Sequence, residues 1–222
     1  MFFLAPSFGG ALIETESGLM TMLLDVLESQ LVLVDYQERL IPAIHEAALV
    51  QANALRLAKA ARLLEVPVWG TEQVPEKLGH NLPELRALCQ RTLAKHHFGA
   101  VSGGLANWLR PLARQPSGNA RSLPKHLQKT PQPAAPERPT IVVAGCEAHV
   151  CLLQTALELL DEEFDVWVVT DACGSRTERN RDAAFDRLAG AGAELVTTEM
   201  ALFEWMRTAQ HPVFREVQAL IK

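Results

Sequence analysis

The sequence predicts an α/β protein with a three-layer, doubly wound fold around a six-stranded, mainly parallel sheet. Six short runs of apolar, largely β-branched residues alternate with amphipathic segments, and parallel strands require helical crossovers of that kind. A chain of 222 residues with 48% hydrophobic content can bury the core of one such domain. The predicted strands lie near residues 30–35, 66–70, 91–95, 140–145, 165–170 and 193–197.

The first and third predicted strands each stop at a charged residue. The run LVLV at residues 31–34 stops at Asp35, and the run RTLAK at residues 91–95 stops at Lys95. In a parallel α/β sheet the carboxyl ends of the strands face the ligand crevice, so the two side chains can converge there. Taken singly, an Asp or a Lys after a strand is more often a solvated turn residue.

The second predicted strand ends at residues 68–70, and a loop follows it as far as Pro83, where a helix can begin. This arrangement places Thr71, Glu72 and Gln73 at the mouth of the crevice. Contact with a substrate and ordinary loop polarity both explain polar residues at such a place.

The fourth predicted strand leads through a glycine into an amphipathic helix that carries Cys151. Apolar residues at helical spacing put this cysteine in the first turn: Val150, Leu153, Leu157 and Leu160. Unpaired N–H groups and the helix dipole lower the pKa of a thiol there. Asp35 could take the thiol proton and Lys95 could stabilise the thiolate. Alternatively, Cys151 is a buried structural residue, as many cysteines are.

Four blocks of sequence carry a more specific signal. They are LVLVDYQERL (31–40), VPVWGTEQVPEKLG (66–79), LAKHHFGA (93–100) and the stretch from VVAGCEAHVCLLQTALELL to VWVVTDACGSR, which ends at residue 176. In this order and spacing they resemble the isochorismatase-like cysteine hydrolases, which include isochorismatase, nicotinamidase and N-carbamoylsarcosine amidase. The block TEQVPEKLGHNLPEL (71–85) is similar to the branch with the isochorismatase domain-containing proteins of animals. The resemblance implies the same three-layer fold and a homo-oligomer.

The resemblance also implies a set of site residues. Asp35, Lys95 and Cys151 match the catalytic triad of the family. The backbone N–H groups of Glu147 and Cys151 match its oxyanion hole, which follows a cis peptide bond, here between Cys146 and Glu147. We expect five further residues in the substrate pocket: Gln37, Thr71, Gln73, Phe98 and His149. A capping or surface role explains His149 equally well.

A metal site is not expected. Nicotinamidases of this family bind a divalent metal through an Asp-x-His pair and a further His between the catalytic Asp and Lys. In that interval this chain has only His45 and His80, and neither belongs to such a pair. His96 and His97 are adjacent on an extended segment and therefore point to opposite faces. We also expect no other cofactor.

The spacing of the cysteines and the composition of the N-terminal stretch indicate the cellular compartment. The four cysteines follow no C-x-x-C spacing, and the apolar N-terminal stretch lacks a basic start and is too short to cross a bilayer. We therefore expect a cytoplasmic protein without a membrane segment. The cysteines are Cys89, Cys146, Cys151 and Cys173.

Two segments fall outside the resemblance. Residues 1–21 form either a flexible N-terminal extension or a misassigned start, so that the hydrolase domain covers residues 22–222. Residues 110–139 are Pro-rich and hold six basic residues and one acidic residue, a formal charge of +5 in a chain of −5. We expect a mobile surface insertion there. It contains no aromatic residue on which a base could stack, so nucleic acid is not an expected partner.

Together these features predict a metal-independent cysteine hydrolase that acts on a small molecule. The expected substrate has an amide or ureido C–N bond, which is cleaved through a thioester acyl-enzyme. One alternative is an isochorismatase-type hydrolase of a vinyl ether. Another is a binding or scaffold protein with the same fold and no turnover, although none of the three triad positions is lost.

Overall fold

Six parallel strands form one sheet at the centre of the molecule. The structure is a computed structural model that describes residues 23–110 and 138–222. The strand order is β3-β2-β1-β4-β5-β6, and every neighbouring pair is parallel. The predicted fold class is confirmed, with a sheet that is parallel throughout. The strands are β1 Ser29–Val34, β2 Val68–Gln73, β3 Arg91–Lys95, β4 Thr140–Gly145, β5 Asp165–Val169 and β6 Glu194–Val196.

The second strand is longer than the sequence predicts. It continues to Gln73, where it pairs with Lys95 of β3, and Thr71 pairs with Val34 of β1. The expectation of a loop after residue 70 is therefore wrong. The last three residues of β2 are polar, and they are buried because they face other polar groups. The run of apolar residues that indicates a strand in the sequence therefore ends before β2 does.

Helices cover both faces of the sheet. On one face α1 (Ala47–Leu63), α7 (Thr198–Met206) and α8 (Phe214–Ile221) contact one another. On the other face α5 (Leu153–Asp161) packs against α6 (Glu178–Gly190). Shorter helical segments lie in the connections: 3₁₀ turns at Ile41–Ala43 and Thr170–Ala172, a π-helical turn at Ala148–Leu152, and α2 Pro75–Leu78, α3 Pro83–Arg86 and α4 Ala106–Leu109.

Small residues let the longest helix approach the sheet. Ala54, Ala58 and Ala61 lie on one stripe of α1 and are fully buried. On the opposite side of the molecule, Thr177 caps α6 by accepting a hydrogen bond from the N–H of Asn180. These features fix the helices around the central strands.

The switch point of the sheet lies between β1 and β4. The strands β2 and β3 lie on one side of β1, and the strands β5 and β6 lie on the other side of β4. The connections that leave β1 and β4 therefore run in opposite directions along the sheet. Gly145 of β4 pairs with Val34 of β1, and a Cβ on this glycine would come within 2.5 Å of Val34. Asp35 then leaves β1 with a left-handed φ of 54°. Ligands of doubly wound folds bind at such a point.

The predicted N-terminal extension, residues 1–21, and most of the predicted insertion lie outside the described residues. The two ends of the insertion are described and lie side by side. Gln30 Nε2 donates to the carbonyl of Leu109 at 2.8 Å and to that of Arg138 at 2.9 Å. No helix in the part of the chain that the structure describes has the length and apolar character to cross a membrane.

Candidate active site

A buried ion pair joins the carboxyl ends of β1 and β3. Lys95 Nζ lies 2.8 Å from Asp35 Oδ2, and both side chains are 0% exposed. The hydroxyl of Thr71, at the end of β2, donates to Asp35 Oδ1 at 2.7 Å. Both oxygens of the carboxylate are therefore hydrogen-bonded, which stabilises the charge of a group that has no solvent contact.

The ammonium of Lys95 has two further close acceptors. Its Nζ donates to Gln73 Oε1 at 2.8 Å and to the carbonyl of Phe98 at 2.9 Å, while the carbonyl of His97 is more distant at 3.4 Å. With Asp35, three close acceptors match the three N–H groups of an ammonium. The positive charge is thus held in one position.

Cys151 lies in the π-helical turn Ala148–Leu152, which connects β4 to α5. The N–H of Leu152 donates to the carbonyl of Glu147 at 3.2 Å, five residues back along the chain. Cys151 thus lies in the first turn of the helical segment, as the sequence predicts, but this turn is π-helical and α5 begins only at Leu153. The spacing of apolar residues does not distinguish one π turn from an α turn. Such turns are frequent at functional sites.

The thiol of Cys151 completes the cluster. The charges of Asp35 and Lys95 both act on this thiol, and the residue is 5% exposed. Burial raises the pKa of this thiol to about 12, and the charges of Asp35 and Glu147 add to the rise, while the charge of Lys95 lowers the pKa. The expectation of a lowered pKa is wrong for this resting state, since desolvation outweighs the nearby cation. At neutral pH the thiol of Cys151 is therefore protonated.

Glu147 lies beside the thiol in the turn after β4. The peptide bond between Cys146 and Glu147 is cis. Within residues 23–110 and 138–222 the backbone N–H of Glu147 donates no hydrogen bond. Its side chain forms an ion pair with Arg176, with 2.6 Å between Oε1 and Nε. Arg176 was not among the expected site residues, because a lone arginine in a turn has no distinguishing sequence pattern.

Two of the expected pocket residues bind each other instead of facing open space. The N–H of Gln73 donates to Gln37 Oε1 at 2.8 Å, and Gln37 Nε2 donates to the carbonyls of Gln73 at 3.0 Å and Gly79 at 2.6 Å. Gln73 Nε2 donates to the carbonyl of His96 at 2.8 Å. Gln73 therefore contacts the ion pair through Lys95, Gln37 contacts Gln73, and both side-chain amides are hydrogen-bonded to protein groups.

Glu72 points away from the ion pair, on the opposite face of β2. Its carboxylate is buried and accepts from the N–H of Asn81 at 2.9 Å. It also pairs with His80, at 3.0 Å, and with Arg86, at 3.2 Å. The expected place of Glu72 at the mouth of the crevice is wrong, because alternate residues of a strand face opposite sides.

The remaining two expected pocket residues differ in their surroundings. Phe98 offers its carbonyl to Lys95, whereas its side chain is 52% exposed. Both ring nitrogens of His149 have neighbours: Nδ1 lies 2.9 Å from the hydroxyl of Ser175, and Nε2 lies 3.4 Å from Asn180 Nδ2. The structure therefore places His149 in a hydrogen-bonded bridge between the π turn and the start of α6.

A carboxylate on α5 fixes the loop that follows Lys95. Glu158 accepts hydrogen bonds from the N–H groups of Val101, at 2.9 Å, and Ser102, at 3.1 Å. Thr155 accepts from the N–H of Ala100 at 3.1 Å. A Cβ at Gly99 would overlap the carboxylate of Glu158. The sequence does not predict this contact, because acidic residues on the polar face of an amphipathic helix are common and most of them are exposed to solvent.

The distribution of possible metal ligands is sparse. Among the described residues no group of three or more His, Cys, Asp or Glu side chains is arranged to hold a metal ion. His80 has one acidic neighbour, Glu72, and the same carboxylate also pairs with Arg86. All four cysteines are free thiols.

Comparison with known proteins gives a consistent set of relatives. The model of the isochorismatase domain matches residues 29–200. Isochorismatase domain-containing protein 2 of Homo sapiens is 37% identical over 194 residues, which cover 87% of this chain and 83% of the human protein.

Solved structures of the same architecture include two with high coverage. The protein called MAR1 ribonuclease from Caenorhabditis elegans has a TM-score of 0.74 and 30% identity, with 89% of this chain and 91% of that chain covered. The YcaC gene product of Escherichia coli, described as an octameric hydrolase of unknown specificity, has a TM-score of 0.69 and 23% identity, with 90% and 95% covered.

Proposed function

The chain belongs to the isochorismatase family, and from that premise and the site geometry we propose that it is a metal-independent cysteine hydrolase. The substrate is a small molecule with an amide or ureido C–N bond. In this proposal Cys151 is the nucleophile, Asp35 carries the proton, and Lys95 supplies a fixed positive charge. The nearly complete burial of Cys151 favours a small substrate.

One observation supports the proposal above all others. The carboxylate of Asp35 accepts hydrogen bonds from the ammonium of Lys95 and the hydroxyl of Thr71, and its charge also acts on the thiol of Cys151. A carboxylate beside the thiol can accept its proton. The ammonium of Lys95 stabilises the negative charge that then develops on sulfur.

In the first half of the reaction, Asp35 takes the thiol proton and the sulfur of Cys151 attacks the carbonyl carbon. A C–S bond forms, and the carbonyl electrons move onto oxygen. The oxyanion accepts hydrogen bonds from the backbone N–H groups of Glu147 and Cys151. When the oxyanion collapses, the C–N bond breaks and the leaving nitrogen takes the proton from Asp35. The products of this half are an amine or ammonia and a thioester.

In the second half, water attacks the thioester while Asp35 accepts one of its protons. The C–O bond forms, and the same backbone N–H groups stabilise the second oxyanion. Collapse of this intermediate breaks the C–S bond. The sulfur of Cys151 then regains a proton from Asp35, and the site returns to its resting state.

The test compares the full chain with Cys151→Ala on a metabolite extract. Mass spectrometry of the small molecules identifies a compound that only the wild type consumes, and mass spectrometry of acid-quenched protein detects an acyl group on Cys151. Cys89→Ala is the matched control, since this half-buried thiol lies outside the site and should be dispensable. Hydrolysis of a C–N bond together with an acyl adduct is the expected result.

Two other results would overturn the proposal in different ways. Cleavage of a vinyl ether that needs Asp35 and forms no adduct on Cys151 would indicate an isochorismatase-type reaction. Retention of a compound without turnover, equal in the wild type and in Cys151→Ala, would indicate a binding protein.

A further inference from the structure

Both polar atoms of the Gln73 side chain are hydrogen-bonded to protein groups. It lies at the end of β2 and is 7% exposed. Its Oε1 accepts from Lys95 Nζ at 2.8 Å, and its Nε2 donates to the carbonyl of His96 at 2.8 Å. One end of the amide therefore faces a cation and the other end faces the loop that follows β3.

These two partners fix the orientation of the amide. A rotation by half a turn would place the NH₂ group against the ammonium of Lys95 and the amide oxygen against the carbonyl of His96. Both contacts would then join like partners, donor to donor and acceptor to acceptor. Only the observed orientation presents an acceptor to Lys95.

Gln37 fixes the backbone of the same residue. Its side-chain amide accepts from the N–H of Gln73 at 2.8 Å and donates to the carbonyl of Gln73 at 3.0 Å. Gln37 is fully buried, and it follows Asp35 by two residues. A continuous series of hydrogen bonds thus runs from Gln37 through Gln73 and Lys95 to Asp35.

The acceptor that Gln73 provides is neutral. A second carboxylate at this distance would compete with Asp35 for the ammonium and add negative charge near the thiol of Cys151. A purely apolar side chain would leave one N–H of a buried ammonium without a partner, which costs more than a lost surface hydrogen bond. An amide satisfies the third N–H and leaves the charge balance of the site unchanged.

We propose that Gln73, held in place by Gln37, is a positioning residue that fixes the ammonium of Lys95 against Asp35 and does not contact the substrate. The inference rests on the proposed function, because it assumes that Lys95 acts on Cys151 through its charge. It replaces the role of pocket residue that the sequence suggests for Gln73.

The inference can be tested without a known substrate by alkylation of Cys151. Iodoacetamide reacts with the thiolate, so below the pKa of the thiol each unit of increase in that pKa slows alkylation about tenfold. The charged groups that act on this thiol are Asp35, Lys95 and Glu147, and Glu147 is paired with Arg176. Peptide mapping by mass spectrometry separates Cys151 from the other three cysteines.

The experiment uses the full chain and four variants over a series of pH values. Gln73→Met removes the acceptor at similar length, and Gln73→Glu keeps an acceptor and adds a charge. Lys95→Met tests the charge itself. Gln51→Met is the matched control, since the amide of Gln51 donates only to a carbonyl of its own helix, at 3.0 Å. Circular dichroism confirms that each variant is folded.

Alkylation of Cys151 should slow about tenfold in Gln73→Glu and by a similar factor in Gln73→Met, because the positive charge near the thiol is offset or less well held. Gln51→Met should match the wild type. If Lys95→Met slows alkylation while both Gln73 variants match Gln51→Met, the positioning role is wrong and the proposed function stands. If Lys95→Met leaves the rate unchanged, the proposed function fails, and the inference fails with it. Gln73→Glu keeps the shape of the native side chain, so it decides the question if Gln73→Met does not fold.

Discussion

The two halves of the candidate site are built in different ways. The strand half consists of the ends of β1, β2 and β3, where Asp35, Thr71, Gln73 and Lys95 are all buried and hydrogen-bonded to one another. The turn half follows β4, where Cys151 lies in a π turn. There the N–H of Glu147 has no acceptor within the residues that the structure describes.

This difference separates a fixed electrostatic environment from the groups that can receive a substrate. In the strand half, every charge is compensated, and this offsets the cost of removing the charges from water. In the turn half, the N–H of Glu147 has no acceptor among the described residues, and in the proposed mechanism this N–H and the thiol of Cys151 act on a carbonyl group. The strand half should therefore contribute to stability and activity together, and the turn half to activity alone.

The largest effect is expected when the buried ion pair is broken. Asp35→Asn leaves Lys95 buried without a counter-charge, and the free energy of unfolding should fall by about 3–5 kcal/mol, with loss of most turnover. The measurement is urea denaturation followed by fluorescence. Asp35→Asn combined with Lys95→Met should recover part of the stability and none of the activity. Equal stability of the single and double variants would mean that the pair is not coupled.

A smaller effect on stability is expected at the junction of the two halves. Glu158→Ala removes a carboxylate that accepts hydrogen bonds from Val101 and Ser102, and the free energy of unfolding should fall by about 1.5–3 kcal/mol. Asp161→Ala, at the exposed end of the same helix, is the control and should change stability far less. Amide hydrogen exchange should accelerate at residues 100–102 in Glu158→Ala only. Equal exchange in both variants would contradict a role for Glu158 in holding this loop.

In the strand half the sequence predicts where the charged residues lie but not how the polar groups around them are bonded, for a physical reason. Carboxyl ends of parallel strands meet at one edge of a sheet, so Asp35 and Lys95 can be placed together once the strands are recognised. The pattern of apolar residues does not show which polar groups will bind one another. For that reason the sequence does not predict three features: the end of β2, the hydrogen bonds between Gln37 and Gln73, and the direction of the Glu72 side chain.

In the turn half the sequence predicts the position of Cys151 but not the pKa of its thiol. A glycine between a strand and a helix indicates where Cys151 lies, and the structure agrees. The raised pKa of its thiol depends on burial and on the distances to Asp35 and Lys95, which a sequence does not contain. The π turn has the same apolar spacing as an ordinary helix start.

In the turn half, replacement of the proposed nucleophile should remove turnover with little effect on stability at neutral pH. Cys151→Ala deletes one small buried group, and the free energy of unfolding at pH 7 should change by about 1 kcal/mol or less. Cys151→Ser is a useful second variant, because it keeps the shape and tests whether the thiol itself is required. A loss of stability as large as that of Asp35→Asn would contradict the division of the site into two halves.

The same variant has a testable pH dependence. The pKa of Cys151 is raised from 9.0 to about 12 by burial first of all, so the folded state holds this proton more tightly than the unfolded state does. The contribution of this protonated thiol to the free energy of unfolding is complete below pH 9 and is lost as the pH rises from 9 to 12. Cys151→Ala should therefore lose less stability than the wild type across this window. Parallel unfolding curves for the two proteins would contradict the raised pKa.

The smallest effect is expected when residues 113–137 are replaced by a short Gly/Ser linker. The flanking carbonyls of Leu109 and Arg138 bind the same amide group of Gln30, so a short linker can span the gap without moving β1 or β4. Shortening a loop changes its closure entropy by only about 0.6 kcal/mol per halving of length. Melting curves and alkylation of Cys151 should match the wild type, and light scattering after size exclusion should show whether the expected oligomer persists. Slower alkylation with an unchanged melting temperature would connect residues 113–137 to the site, and global unfolding would show that these residues pack into the domain.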